Sequence, residues 1–378
     1  MHRIYLFFIL SVLYCNAVNA QGSQVKIANN SVGKLQTSIS NKEDQKKQFV
    51  IIGEGLKAIE SAQNDKKTKN WPETWAIKAY LTSYVALVDE NEQSAEKNFS
   101  LAVEALAKAK ELDKFQSNHE LIGAAEKNII AKKQSLGTEA FNNNDFLNAY
   151  TLLKDVSDRY PKDTLLAVNT AICAQNIQQY NDALAFLLRA KEAGIKNPNV
   201  YQNIAAIYTS KFDNEQAIKT LEEGLQLNPY HVSLNNDYIN LLLDNERYDK
   251  AFKRIESSLG QDNQNKLLLF LYGYLQQYKQ NNLSNAENAY KKALNLDQNY
   301  FDSLYQLALV FLSEANNSLN EKNTTKYNSF TNRAEFTLLR AYEINQNNRN
   351  VVKLLIDIYT RKNRLDRVQE LKRKLNEF

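Results

Sequence analysis

A chain of 378 residues with 43% hydrophobic and 24% charged residues is globular rather than disordered, and long enough for two ordinary domains or one extended array. Its 10 glycines and 4 prolines disfavour a sandwich or barrel and favour nearly all helix. Lys plus Arg number 47 against 43 for Asp plus Glu, a balance that gives no electrostatic case for nucleic acid, which would want a concentrated basic face.

The N-terminus reads as an export address. His2 and Arg3 form a short basic start. Residues 4–13 are an apolar run, too short to span a bilayer and suited to a signal-peptide core. Val18, Asn19 and Ala20 bring small residues before Gln21, so a signal peptide is expected over 1–20, with a periplasmic or secreted destination. Tyr14 precedes Cys15 where an acylated cysteine needs a small neighbour, so a lipoprotein is not expected. Beyond the leader only Cys173 remains, and packing rather than a disulfide must hold the fold.

Residues 21–42 are polar without a sustained period and are expected to be a flexible lead-in. From residue 43 to 129 the spacing predicts divergent helical repeats. Phe49, Ile52, Leu56 and Ile59 share one helical face, Pro72 sits where a first-turn proline is tolerated, and a partner helix follows near 95–112. One long helix is expected over 121–141.

Four regular copies of one unit fill 130–263. Gly137, Ala149 and Val156 return after 34 residues as Ala171, Ala183 and Ala190, then as Ala205, Ala217 and Gly224, then as Ile239, Ala251 and Ser258. Small residues recur at most of these points, as a helix pair requires where two backbones approach closely. A fifth copy over 266–299 keeps Gly273 and slips by one residue at Ala286. A sixth begins at Phe301, with its second helix delayed to Ala334, Leu338 and Ala341 by an insert near 316–332, expected to project from one face. The last pair, 350–378, carries Leu355, Tyr359 and Leu371 beneath many basic residues, which suits a polar terminal cap on the 264–378 segment.

This register resembles the tetratricopeptide repeat family. Tyr208, Ala217, Leu221, Gly224 and Pro229 carry the likeness in combination, and it continues through 266–375 with the two irregularities named. The family's first-helix tryptophan is absent, with Ala167, Tyr201, Asn235 and Leu304 in its place. The Lys-Thr-Lys-Asn loop before Trp75, the Asn-Tyr-Phe-Asp entry at 299–302 and the elongated hairpin after it also look like exported repeat proteins common in Bacteroidetes. The resemblance implies an all-α, right-handed superhelical solenoid of antiparallel helix pairs, whose first helices line a concave groove for peptide or protein segments.

A carboxylate clamp of the kind some members use needs cations at set first-helix positions. Those positions hold Gln134, Thr138, Asn169, Asn199 and Asn203, so that clamp is not supported. Asn169, Asn203 and Asp237 instead stand one period apart, and side-chain amides offer a donor and an acceptor each to an extended backbone. Gln202, Asn236, Asn240, Gln277, Tyr305 and Gln306 are expected to flank this row, with Tyr274 and its neighbours Phe270, Tyr272 and Tyr278 as an aromatic patch. The ordinary reading of the same residues is a solvated surface in an Asn-rich chain.

Motifs for chemistry are absent. The three histidines show no metal spacing, and there is no phosphate loop or nucleophile elbow. His231 reads as a turn residue and Cys173 as a small packing residue. The expected protein is a non-catalytic scaffold without cofactor that binds a protein or peptide in its groove. The alternative is an assembly subunit of a cell-envelope complex, of secretion or motility type, working through its convex face or termini.

Overall fold

The computed structural model describes residues 22–376, so the expected leader and Cys15 lie outside the described residues. Among the described residues there are 18 helices and no strand. They fall into two units, 22–195 and 196–376.

The first unit opens with helix α1 over 22–40, followed by α2 (Gln45–Asn64), α3 (Pro72–Val88), α4 (Glu92–Leu112), α5 (His119–Asn142), α6 (Phe146–Arg159), α7 (Thr164–Asn176) and α8 (Tyr180–Glu192). The flexible lead-in expected over 21–42 is corrected by α1. Val25, Ala28, Val32 and Leu35 recur at three- and four-residue steps and are at most 3% exposed, joining Ile52, Ile59, Ile77 and Leu81 in one core. Pro72 takes the first turn of α3 as expected. A second core gathers Ala149, Leu153, Val156, Leu166 and Cys173.

The second unit comprises α9 (Pro198–Ser210), α10 (Asn214–Leu227), α11 (Val232–Asp244), α12 (Tyr248–Gln261), α13 (Lys266–Tyr278), α14 (Leu283–Leu296), α15 (Phe301–Asn320), α16 (Thr324–Ile344), α17 (Arg349–Arg361) and α18 (Leu365–Asn376). Ala217, Ala251, Ala286, Ala308, Ala334 and Ala341 are all fully buried at the crossings that the repeat register marks. Gly224 shows why small residues are needed there: a Cβ on it would stand 2.8 Å from Tyr201 Cβ.

Helix starts give several of the chain's asparagines and aspartates a structural role. Asn91, Asn197, Asn265, Asn282, Asn323 and Asn348 each cap a helix by accepting from a backbone N–H in its first turn, as do Asp145, Asp163 and Asp213. Each first helix of the regular copies ends on a left-handed residue: Asn144, Gln178, Phe212 and Glu246, with φ between 56° and 62°. The following N–H closes the turn onto the carbonyl five residues back, as from Asp213 to Tyr208 at 2.9 Å.

The insert is not a loop. α15 has 20 residues against 13 in α13, and α16 has 21 against 14 in α14, so each helix of the sixth pair gains one heptad. Seven residues are close to two full turns, which keeps Leu304, Ala308, Phe311, Ala334 and Leu338 on the core-facing side. The hairpin that joins them turns tightly at Lys322, with φ 57°.

Candidate functional site

The candidate residues of the second unit sit mostly at repeating first-helix positions. Gln202 and Asn236 share one position, Asn203 and Asp237 the next, and Asn240 and Tyr274 a third. Side chains link neighbouring first helices along these positions. Gln202 Nε2 on α9 donates to Ser233 Oγ at 2.9 Å and to the Asp237 carboxylate on α11. Asn203 and Asn236 are half-buried, while Asp237 and Asn240 are exposed. This stretch offers amides and one carboxylate to solvent, with one of its amides already held from the side.

A second linked pair lies on α13 and α15. Tyr278 O–H donates to Gln306 Oε1 at 2.9 Å. The Tyr274 and Tyr278 rings lie 4.7 Å apart, and both remain exposed, at 38% and 47%. Burial raises the Tyr278 phenol above its ordinary range, and the nearby Tyr274 and Tyr305 phenols add to the effect. Tyr305 itself stacks on Phe301 at 6.3 Å. Tyr274, Tyr278 and Tyr305 thus form one neutral, hydrogen-bonding aromatic surface beside the Gln306 amide.

Two expectations change here. Gln277 is 8% exposed, and its Oε1 accepts from the buried Tyr290 O–H at 2.9 Å, so it is a core residue and not part of an exposed face. It sits at a different helical position from the rows that Asn240 and Tyr274 occupy. Tyr272 leaves the aromatic patch and stacks on Phe252 at 5.3 Å, because residues two apart on a helix point in nearly opposite directions. Phe270 does stay with the patch, 6.5 Å from Tyr274.

Asn169 lies half-buried on α7 of the first unit. Asn235, which stands where the family carries tryptophan, is buried; its Oδ1 accepts from Arg254 Nε and from Ser258 Oγ–H. His231 precedes α11, and its Nδ1 accepts from the Leu234 N–H at 3.2 Å, a capping role. Cys173 is fully buried, and burial pushes its thiol up to about 11, the opposite of an activated nucleophile. No group of metal-binding side chains occurs among the described residues, and no helix there is long and apolar enough to cross a membrane.

This is an all-α helical-repeat protein, with its register carried by its own buried small residues. No family model and no curated protein matches the chain. Its neighbours among solved structures include tetratricopeptide-repeat proteins. YrrB, described as a TPR protein with an unusual peptide-binding site, is 15% identical at a TM-score of 0.40 and aligns over 49% of this chain and 95% of its own. The C-terminal part of a TPR repeat-containing protein from Cytophaga hutchinsonii is 11% identical at 0.48, over 64% and 93%. MamA from Desulfovibrio magneticus RS-1 is 16% identical at 0.37, over 49% and 96%.

Proposed function

We propose that the chain is an exported, non-catalytic scaffold that binds an extended protein or peptide segment along the first helices of its second unit. The observation that carries this reading is the pair of side-chain links, Gln202 to Asp237 and Tyr278 to Gln306. They hold polar and aromatic side chains of adjacent repeats in place while leaving Asn240, Tyr274 and Tyr278 at the surface. Side chains fixed in advance lose less freedom when a partner binds. Tyrosine in particular supplies contact area and a hydrogen bond from few rotatable bonds. The basic start and short apolar run before Gln21 support export.

The test is a cross-linked pull-down from the native cell envelope. The parent chain is compared with Tyr274→Ala/Tyr278→Ala and Asn203→Ala/Asn240→Ala, each checked for helix content by circular dichroism. A partner captured by the parent and lost with folded variants supports the groove. The elongated α15–α16 hairpin supports the second reading, an assembly subunit of an envelope complex. On that reading both variants keep the parent's partners, and shortening the hairpin removes them.

A further inference from the structure

On the second helices α10 and α12 lies a shallow, open hollow of about 430 Å³. Its wall carries Glu222, Lys250, Lys253, Arg254 and Ser257, and the Tyr238 phenol reaches it from α11. Three cations therefore face one carboxylate, and that carboxylate is already engaged. Glu222 Oε1 accepts from Tyr238 O–H at 2.6 Å and from Lys250 Nζ at 3.1 Å.

Arg254 is half-buried, and its side chain's hydrogen-bond partners are neutral. Nε donates to Asn235 Oδ1, and Nη2 donates to the Pro229 carbonyl at 3.0 Å. Burial pulls the guanidinium below its ordinary range, yet an arginine stays charged in a protein. A desolvated cation held by dipoles alone gains most from an incoming anion. Exposed Lys253 forms no ion pair among the described residues and stands on the same wall.

We propose that this hollow is an anion site for an acidic peptide segment, whose Asp or Glu carboxylates reach Lys253, Arg254 and the Ser257 hydroxyl. Two features favour a peptide over a small inorganic anion. The hollow is far larger than one such ion, and buried Leu225 and Tyr238 give it an apolar floor against which side-chain stems can pack. Three cations set against one carboxylate supply the charge complementarity. The site lies outside the candidate groove, so it stands or falls separately from the reading above.

The experiment is fluorescence anisotropy on the full chain with labelled octa-glutamate, and labelled octa-glutamine as the neutral control. Octa-glutamate is expected to bind and octa-glutamine not. Affinity should fall several-fold when salt is raised from about 50 to about 300 mM, because screening shortens to within a few ångströms. Lys253→Glu should weaken binding roughly ten-fold and Arg254→Gln at least as much. Because Arg254 also holds Asn235, exposed Lys253 gives the variant that is safe for folding, and circular dichroism checks both. Tyr274→Ala should leave binding unchanged. The proposal is overturned if octa-glutamate does not bind, if both charge variants bind it like the parent, or if millimolar inorganic phosphate displaces it, which would mark a free-anion site instead.

Discussion

Two glycines in one helix test whether α1 is docked as described. Gly53 and Gly55 both lie inside α2, so replacing either by alanine gains about 1 kcal/mol of helix propensity. Their surroundings differ. A Cβ on Gly53 meets nothing within 4 Å, whereas one on Gly55 would lie 2.8 Å from Leu81 Cδ1 and 3.0 Å from Ser31 Cβ. The Leu81 methyl can swing aside, but Ser31 Cβ is fixed to the α1 backbone, so the two helices must part. Overpacking of this kind costs about 1–3 kcal/mol. Gly53→Ala should therefore stabilise by about 1 kcal/mol, and Gly55→Ala should range from neutral to about 2 kcal/mol destabilising. The assay is urea unfolding followed by tryptophan fluorescence, since both tryptophans, Trp71 and Trp75, belong to this unit and Trp75 packs against the α1–α3 core. A cycle with Ser31→Gly isolates the contact: removing Ser31 Cβ should recover part of the Gly55→Ala loss, a coupling of at least about 0.5 kcal/mol. Equal stabilisation by both alanines, with no coupling to Ser31, would refute the placement of α1.

Phe212 holds a left-handed turn at φ 60° while 92% exposed. Phe212→Gly removes a strain of about 1–2 kcal/mol and adds somewhat less in unfolded-chain entropy, so a net gain of about 0.5–1 kcal/mol in urea unfolding is expected. A loss would show that the ring makes a stabilising contact. Cys173 should resist maleimide at pH 8 in the folded chain and react once unfolded, with intact mass as the readout. Its thiol is raised to about 11 from 9, so the folded state keeps the proton that the unfolded chain releases. The stabilisation is present below pH 9 and is lost as pH rises from 9 toward 11, and Cys173→Ser should flatten that decline.

The repeats were legible because their spacing is written in buried small residues, and Ala171, Ala183, Ala205, Ala217 and Ala251 fall where the period puts them. α1 was not, because its buried stripe mixes Val25, Val32 and Leu35 with Ala28, Ser31 and Ser38, too little hydropathy to stand out. The candidate site was legible only as positions. That Gln202, Asn236 and Tyr274 recur on first helices follows from the period, but the bonds from Gln202 to Asp237 and from Tyr278 to Gln306 join separate repeats. Gln277 was misplaced for a related reason: an amide on a first helix looks the same whether it faces solvent or satisfies a buried phenol such as that of Tyr290. Part of the asparagine richness, read as a polar surface, goes instead to helix N-caps, as at Asn91, Asn197, Asn265, Asn282, Asn323 and Asn348.

The lengthened sixth pair makes the link between helical period and packing testable. The added heptads bury few large side chains: Ala315 and Ser318 on α15 are buried, and Phe330 on α16 is half-buried, 6.5 Å from Phe311. The main core of the pair lies before and after them, in Leu304, Leu307, Phe311, Ala334, Leu338 and Ala341. Deleting residues 314–320 and 324–330 together would restore the ordinary helix lengths. Each deletion removes close to two turns, so the remaining faces stay aligned within about 20°. Deleting only 324–330 would leave the end of α15 without its partner and expose Ala315 and the Phe311 edge. The double deletion should then melt closer to the parent than either single deletion, measured by circular dichroism at 222 nm. That ordering is the reverse of what independent, additive losses predict. If the double deletion is instead the least stable of the three, the heptads are not a matched extension of a standard pair, and the hairpin carries packing that its buried residues do not account for.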